Sequence, residues 1–403
     1  MDYDHSNALK GLENRTGQNN CFLNVVIQVL WHLLPFRKLF RECEIHNHAI
    51  PTTDGINKNT CIFCALKMIF AEYEWGEQEI LPPTSLRQAL NDIYVAQNRF
   101  KVGFLDDASE ALNEVIQNLH AAVAQSSTPE VCEPPCFVHQ LFGISTVQQT
   151  ECNLCGTMSE PSLSNAFILY SYATELRTEK KKYPHGTFDR LLNYTRQNDT
   201  RPCSTNGCSK GVCHVHTFLL NEPEVILIGI VWNTDNPPQS DIDDMLDLIE
   251  TSVDANVIFD HQRYQESEAQ QLIKCEYSLK GIISYYGKHY NAHCLNDSSN
   301  TWSVFDDATV KTVGNTWSAV VSKSKLGKFQ PSILVYQKVH DTVVIPPPKP
   351  KPVVVPKPTS IPPPSAPTTS VTSVPAKPKL VTSYTSIPRT YPTVPTTSIT
   401  EKY

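Results

Sequence analysis

The sequence has no apolar run long enough to cross a bilayer. The longest, EVILIGIVW at 224–232, falls well short of the roughly 20 residues that a membrane helix needs. Its first residues, MDYDHSNALKG, lack the basic start and apolar centre of a secretory signal. It also lacks an excess of positive charge, with 34 Lys and Arg against 41 Asp and Glu and a net charge of −7. Even this balance is uneven. Residues 346–403 carry Lys349, Lys351, Lys357, Lys377, Lys379, Arg389 and Lys402 against Glu401 alone, a net of +6, so residues 1–345 carry −13. An acidic body argues against nucleic acid as the main partner. No internal repeat is found. These absences lead to the expectation of a soluble, cytoplasmic protein with no membrane span. In a reducing compartment, an odd set of 13 cysteines is read as metal ligands, catalyst or buried thiols rather than as a disulfide framework.

Length suggests two or three domains, and texture divides the chain. Proline is concentrated at one end: 346–403, beginning PPPKPKPVVVPKPTSIPPPSAPTTS, reads as a disordered extension because proline removes backbone donors and favours polyproline II. Strings such as PPPKPKP and IPPPSAP also suit docking to an SH3 or WW domain. From 21 to 120 the patterns are helical. Phe22, Val25, Val26, Val29, Leu30, Leu33 and Leu34 recur at three- and four-residue steps until Pro35, and DDASEALNEVIQNLH at 106–120 repeats the texture with acidic residues at its start. From 141 onward, short β-branched runs dominate: EVILIGIVW, NVIFD, YSLKGIISYY, WSVFDD and PSILVYQ. Helices first and strands later imply an α+β fold.

Within TGQNNCFLNVVIQVLWHL at 16–33, Cys21 stands at the first turn of an apolar helix, where the helix dipole lowers the cost of a thiolate. Gly17 permits an unusual turn before it, and the amides of Asn14, Gln18, Asn19 and Asn20 are candidate donors to an oxyanion. A buried thiol is the plainer reading of Cys21 alone. A nucleophile needs a base, and a base needs an orienting acceptor. YYGKHYNAHCLNDSSNTWSVFDD at 285–307 offers both: if its two strands form a hairpin around NDSSN, His289 and Asp306 stand at comparable heights on neighbouring strands. His293 is a competing base, placed on a different level.

The other cysteines fall in groups. TECNLCG supplies Cys152 and Cys155, and RPCSTNGCSKGVC supplies Cys203 and Cys208, with Cys213 as an alternative fourth ligand. Such paired thiolates suit a tetrahedral Zn²⁺ tying two hairpins together. Cys43 with His46 or His48, followed by Cys61 and Cys64 in TCIFCA, has ligand-like spacing, as do Cys132, Cys136 and His139 in VCEPPCFVHQ. Burial of thiols on a helix face is the alternative for both. Any metal there would be structural, since no open position beside a general base is apparent.

Three stretches together resemble a family. GLENRTGQNNCFLNVVIQVLWHL resembles the cysteine box of ubiquitin-specific proteases, DDASEALNEVI their QDAxEFL helix, and YSLKGIISYYGKHY…WSVFDDATV their histidine box. GQNxCFLN, CIFCALK and GKHY are closest to the divergent subgroup often labelled inactive. The resemblance implies a papain-like fold, with a helical thumb over about 11–140, zinc-finger-like fingers over about 141–222 and a β-rich palm over about 223–340. Residues 1–10 would be an N-terminal extension and 341–403 the tail. It further implies Cys21 as nucleophile, His289 as general base, Asp306 as orienting acid, a fingertip zinc and no organic cofactor. The implied function is hydrolysis of the isopeptide bond at the ubiquitin C-terminus. The alternative is an inactive homologue that binds ubiquitin or serves as a scaffold; on either reading the expected location is the cytoplasm, with the nucleus or cell junctions as further places. Two departures stand out. The family places its oxyanion asparagine five residues before the cysteine, whereas Asn14 lies seven before Cys21, and His293 replaces an aromatic of the histidine box.

Overall fold

The computed structural model describes residues 9–44, 46–48, 61–124, 132, 135–208, 210–259 and 275–340. The expected disorder of the tail and its SH3 or WW docking strings lie outside the described residues.

Among the described residues the first element is a two-residue strand, β1 (Gly11–Leu12), followed by α1 (Cys21–His32), which is buried along its length from Cys21 to Trp31. A helix apolar on all sides belongs in the middle of a domain. After Leu33, Pro35 opens α2 (Leu34–Glu42), where its missing N–H costs nothing. Then follow α3 (Ile62–Trp75), β2 (Ile80–Leu81) paired in parallel with β1, α4 (Thr84–Tyr94), α5 (Ala108–Val123) and α6 (Phe137–Phe142). Asp107 caps α5 by accepting from the N–H groups of Ser109 and Glu110.

Beyond α6 the chain alternates between two sheets. β3 (Ile144–Cys152) and β4 (Ser162–Ala166) start a finger, and β5 (Ile168–Tyr172) leaves it to join a larger sheet. Two helices follow, α7 (Ala173–Lys182) and α8 (Phe188–Gln197). The finger resumes with β6 (Thr200–Pro202) and β7 (Val212–Leu219), giving the order β4-β3-β7-β6. Residues 141–222 are therefore not all finger, because β5, α7 and α8 serve the larger sheet.

That larger sheet takes β8 (Val225–Val231), then after α9 (Gln239–Leu248), β9 (Ser252–Asp254) and α10 (Ala255–Ile258) it takes β10 (Glu276–Tyr286), β11 (His289–Asn296), β12 (Thr301–Asp306) and β13 (Thr309–Gly314). After α11 (Trp317–Gly327) it closes with β14 (Gln330–Lys338). Its order is β13-β12-β11-β10-β14-β8-β5, with β9 added on β10, and only the β5–β8 pair is parallel. NVIFD is not a strand as its β-branched residues suggested: Asn256 to Ile258 lie in α10, because Asp254 accepts from the Asn256 N–H and starts a helical turn.

Both faces of the large sheet are covered, which explains the unbroken apolar run of β8. Val225 and Leu227 face the core shared with α1 to α6, while Ile226 and Ile228 face the core beneath α7 to α10. Burying the eight side chains Leu23, Val26, Ile27, Leu30, Leu112, Val115, Ile116 and Leu119 of α1 and α5 in the first core contributes about 2 kcal/mol each. This seats the start of α1 against β11 and β12.

Candidate active site

Cys21 opens α1 and is 2% exposed. The N-cap residue, Asn20, makes no side-chain capping bond, so its own side chain does not compete at the positive end of the helix dipole. His289 begins β11, immediately after a turn in which Gly287 and Lys288 both have positive φ. The β11–β12 register pairs Ala292 with Phe305, so one further step sets Asp306 opposite Asn291, diagonal to His289 on the same face. The expected hairpin arrangement is present: His289 Nε2 lies 2.7 Å from Asp306 Oδ1. Nε2 is thereby committed, which leaves Nδ1 for a second partner. The Tyr286 hydroxyl donates to the other Asp306 oxygen at 2.9 Å.

The electrostatics follow this contact. Asp306 raises the His289 pKa most, the neighbouring Cys21 sulfur adds to it, and the imidazole is pushed up to about 10 against the opposing effect of burial. His289 in turn draws the Asp306 carboxyl below its ordinary range. His293, the competing base, is fully buried, its ring nitrogens make no hydrogen bond to the protein, and burial pushes its pKa down to about 3. It is not brought to Cys21.

Across the lengthened loop before Cys21, Asn14 stays bonded to the residue that precedes the helix. Arg15 to Gln18 form a turn closed on itself, with the Gln18 N–H donating to the Arg15 carbonyl and the Arg15 N–H to Gln18 Oε1. Gly17 sits in it at φ +84°, with nothing near where a Cβ would project. The ends of the turn meet where the Asn20 N–H donates to Asn14 Oδ1 at 2.9 Å. Asn14 Nδ2 donates to Asp307 Oδ2 at 2.7 Å, and Asn24, one turn into α1, donates to Asp307 Oδ1 at 2.8 Å. Asp307 is itself fixed by backbone: its carbonyl accepts from Leu12, and Gly11 approaches Ala308 so closely that a Cβ would lie 2.6 Å from the Ala308 carbonyl oxygen. The extra residues are thus extruded. An amide carries two N–H bonds, and Asp307 takes one of those of Asn14. Asn19, the other oxyanion candidate, is exposed, at φ +51°, and spends its amide on the Gly103 carbonyl at 2.8 Å.

Asp307, Asn24 and Tyr286 were not singled out from the sequence. The doubled aspartate of WSVFDD was the available signal, but only the fold shows that the second carboxylate turns toward Asn14. Tyr290 adds a further tie, its hydroxyl donating to the α5 cap Asp107 at 3.1 Å.

At the fingertip, Cys152, Cys155, Cys203 and Cys208 have their sulfurs within 4.8 Å of one another, with Cys152–Cys208 at 3.7 Å and Cys155–Cys203 at 3.8 Å. A tetrahedral zinc with four sulfurs requires edges of about 3.8 Å, so the residues fit the ion. The Leu154 N–H donates to Cys152 Sγ and that of Thr205 to Cys203 Sγ. A Cβ on Gly211 would meet Cys152 Sγ at 2.5 Å and Cys208 Sγ at 2.6 Å, which keeps this position a glycine. Cys213 pairs in register with Cys152 but stands outside the four, so Cys208 fills the place for which both were candidates. In the thumb, His46, His48, Cys61 and Cys64 come together without Cys43, while Cys132, Cys136 and His139 are joined by His120, which had not been read as a ligand.

A thiol at a helix start, beside a histidine–aspartate pair on a sheet, defines the papain-like class of cysteine hydrolase folds. The chain belongs to the ubiquitin carboxyl-terminal hydrolase family, whose sequence pattern matches residues 10–336. It is 35% identical over 345 residues to ubiquitin carboxyl-terminal hydrolase 54 of Rattus norvegicus, covering 83% of this chain and 21% of that protein. With ubiquitin carboxyl-terminal hydrolase 53 of Homo sapiens it shares 31% over 344 residues, 83% of this chain and 30% of the relative. It thus spans between about a fifth and a third of the length of these relatives, which represent the divergent subgroup that its boxes resemble. Among solved structures, the SAGA DUB module of Ubp8, Sgf11, Sus1 and Sgf73 bound to ubiquitin aldehyde superposes with a TM-score of 0.58 at 17% identity, covering 84% of this chain and 71% of that one. A related module bound to monoubiquitin gives 0.57 at 16% identity, covering 84% and 70%. These likenesses carry the fold. Among the described residues, no helix is long and apolar enough to cross a membrane.

Proposed function

We propose that the chain is a thiol-dependent deubiquitinase that hydrolyses the isopeptide bond at the ubiquitin C-terminus. The observation that carries this reading is the His289–Asp306 contact beside Cys21, with Asn14 held over the same helix start by Asp307.

In this reading, Cys21 Sγ attacks the carbonyl carbon of the last ubiquitin glycine, and the developing oxyanion takes the second Asn14 N–H together with backbone N–H groups of the α1 start. His289, held as imidazolium by Asp306, gives its proton to the departing lysine amine as the C–N bond breaks. His289 then accepts a proton from the water that attacks the thioester, and cleavage of the C–S bond returns the Cys21 thiolate. Asp306 fixes the ring orientation and stabilises its charge, while Asp307 positions Asn14. Cys152, Cys155, Cys203 and Cys208 would hold a zinc ion whose role is to tie β3 to the segment before β7. Ubiquitin is the proposed partner, and the acidic body suits its basic face.

The test is reaction with ubiquitin carrying a C-terminal electrophile, followed by cleavage of a panel of ubiquitin chains. A covalent adduct that disappears in Cys21→Ala and His289→Ala, with matching loss of chain cleavage, is the expected result. Stable ubiquitin binding with no adduct and no cleavage overturns it in favour of an inactive, ubiquitin-binding homologue.

A further inference from the structure

The thumb contains two knots of sulfur and imidazole that the chemistry above does not use. One gathers His46 and His48, which follow α2, with Cys61 and Cys64 at the start of α3. The other gathers His120, in the last turn of α5, with Cys132, Cys136 and His139 around the start of α6. In each, one ligand-type atom from every residue lies within 4.8 Å of all the others. A tetrahedral zinc with bonds of about 2.0–2.3 Å needs its ligand atoms about 3.3–3.8 Å apart.

The individual contacts agree with that geometry. His46 Nε2 lies 3.5 Å from Cys61 Sγ and 3.2 Å from Cys64 Sγ. His120 Nδ1 lies 3.4 Å from Cys136 Sγ, and His139 Nδ1 lies 3.7 Å from the same sulfur. Backbone N–H groups point at sulfur in both knots, from Cys64 to Cys61 at 3.5 Å and from Cys136 to Cys132 at 3.3 Å. The fingertip has the same device at Cys152 and Cys203. An N–H bonded to sulfur fixes the sulfur's orientation, which suits a ligand rather than a loosely packed buried hydrophobe. His48 Nδ1 is buried without a hydrogen-bond partner, as expected of a nitrogen whose lone pair is reserved for an atom outside the chain.

We propose that the thumb holds two structural zinc sites, His46–His48–Cys61–Cys64 and His120–Cys132–Cys136–His139, each with two thiolates and two imidazoles and no open position. Two sulfurs and two nitrogens in tetrahedral reach select zinc among the common divalent ions. The sites are linked, because Asn47, between the two histidine ligands of the first, donates its backbone N–H at 2.7 Å to the carbonyl of Ala122, two residues beyond the ligand His120. Together they fasten α3, α6 and the C-terminal end of α5. The other end of α5 is held by the Tyr290–Asp107 bond, one residue from His289, so the clasps brace a helix that is tied to that strand.

The test is a metal count on the full chain, purified under reducing conditions without chelator, by native mass spectrometry with elemental analysis. Three zinc ions per chain are expected, one for each group of four Cys and His ligands. C61S/C64S and C132S/C136S should each lower the count by one, and their combination should leave only the fingertip ion. If a variant fails to fold, the wild-type chain still decides, since exchange of its metal for Co²⁺ should give a tetrahedral visible spectrum containing both four-sulfur and two-sulfur, two-nitrogen contributions. A wild-type chain with one zinc or none overturns the proposal. So do an unchanged count in folded variants and an intact mass lowered by the hydrogens lost to disulfides among these cysteines.

Discussion

At the start of α1 one sulfur, that of Cys21, meets one imidazole and, through it, the Asp306 carboxylate; at the fingertip four sulfurs meet one another and no imidazole or carboxylate joins their group. Both places use cysteine and both lie next to backbone N–H groups, yet they are suited to opposite chemistry. A single thiolate beside an imidazolium keeps its lone pair for attack. Four thiolates at about 3.8 Å repel one another until a cation is shared among them. The surroundings of a cysteine, rather than its own burial, separate the two uses: Cys21 and Cys152 are each 2% exposed.

Exchanging sulfur at the two places should separate them most widely. Cys21→Ala or His289→Ala is expected to lower kcat for ubiquitin–amide hydrolysis by about 10⁶, as removal of one member of such a unit does. Cys21→Ala should change stability little, whereas His289→Ala should also lose the contribution of the charged pair at neutral pH. Cys155→Ser at the fingertip should do the reverse, losing one zinc by mass spectrometry and lowering Tm while Cys21 still forms the adduct with the electrophilic probe. Loss of the adduct in a folded Cys155→Ser chain would break the comparison.

Asp306→Asn comes next, with an expected loss of about 10⁴ in kcat because the asparagine holds the wrong tautomer of the ring. It also moves a pH boundary. His289 has its folded pKa raised from 6.5 to about 10, with Asp306 as the largest cause. A raised pKa contributes stability that is complete below the unfolded value and is lost as pH rises through the folded one. The charged pair should therefore help the fold from acid to neutral pH and stop helping near pH 10. The alkaline limb of kcat/KM should lie near that value in the wild type and shift downward in Asp306→Asn, as read from a pH–rate profile. An unshifted limb would assign it to another group.

Much of this was legible as short strings, for local reasons. The α1 stripe, the glycine before the cysteine, the acidic start of α5 and the β-branched runs of β10 and β12 each come from residues within a few positions of one another. The family resemblance then joined boxes that no periodicity could join. What escaped depended on contacts distant in sequence. Asp307 acts on Asn14 and Asn24 across nearly the whole domain, and His120 becomes a candidate ligand only because α5 ends beside α6. The helices of the second half escaped for another reason. ATELRTEKKK in α7 is almost wholly polar, burying only Ala173, Leu176 and Glu179, so it has little apolar stripe to read.

The smallest effects sharpen the Cys21 side by separating its two asparagines. Asn14→Ala should lower kcat by about 10²–10³ with little change in KM, the cost of one oxyanion donor. Asp307→Asn should cost less, because it alters the hold on Asn14 rather than the donor itself. Asn19→Ala removes an exposed bond to the Gly103 carbonyl, worth about 0.5–1.5 kcal/mol of local stability, places an alanine at positive φ, and should leave kcat within about threefold. Sequence distance alone would favour Asn19, two residues from Cys21, over Asn14, seven away. The structure reverses that order, because the turn at 15–18 closes on itself and returns the chain through the Asn14–Asn20 bond. Equal losses in the two alanine variants, measured side by side under single-turnover conditions, would show that the inserted residues had taken over the donor's task.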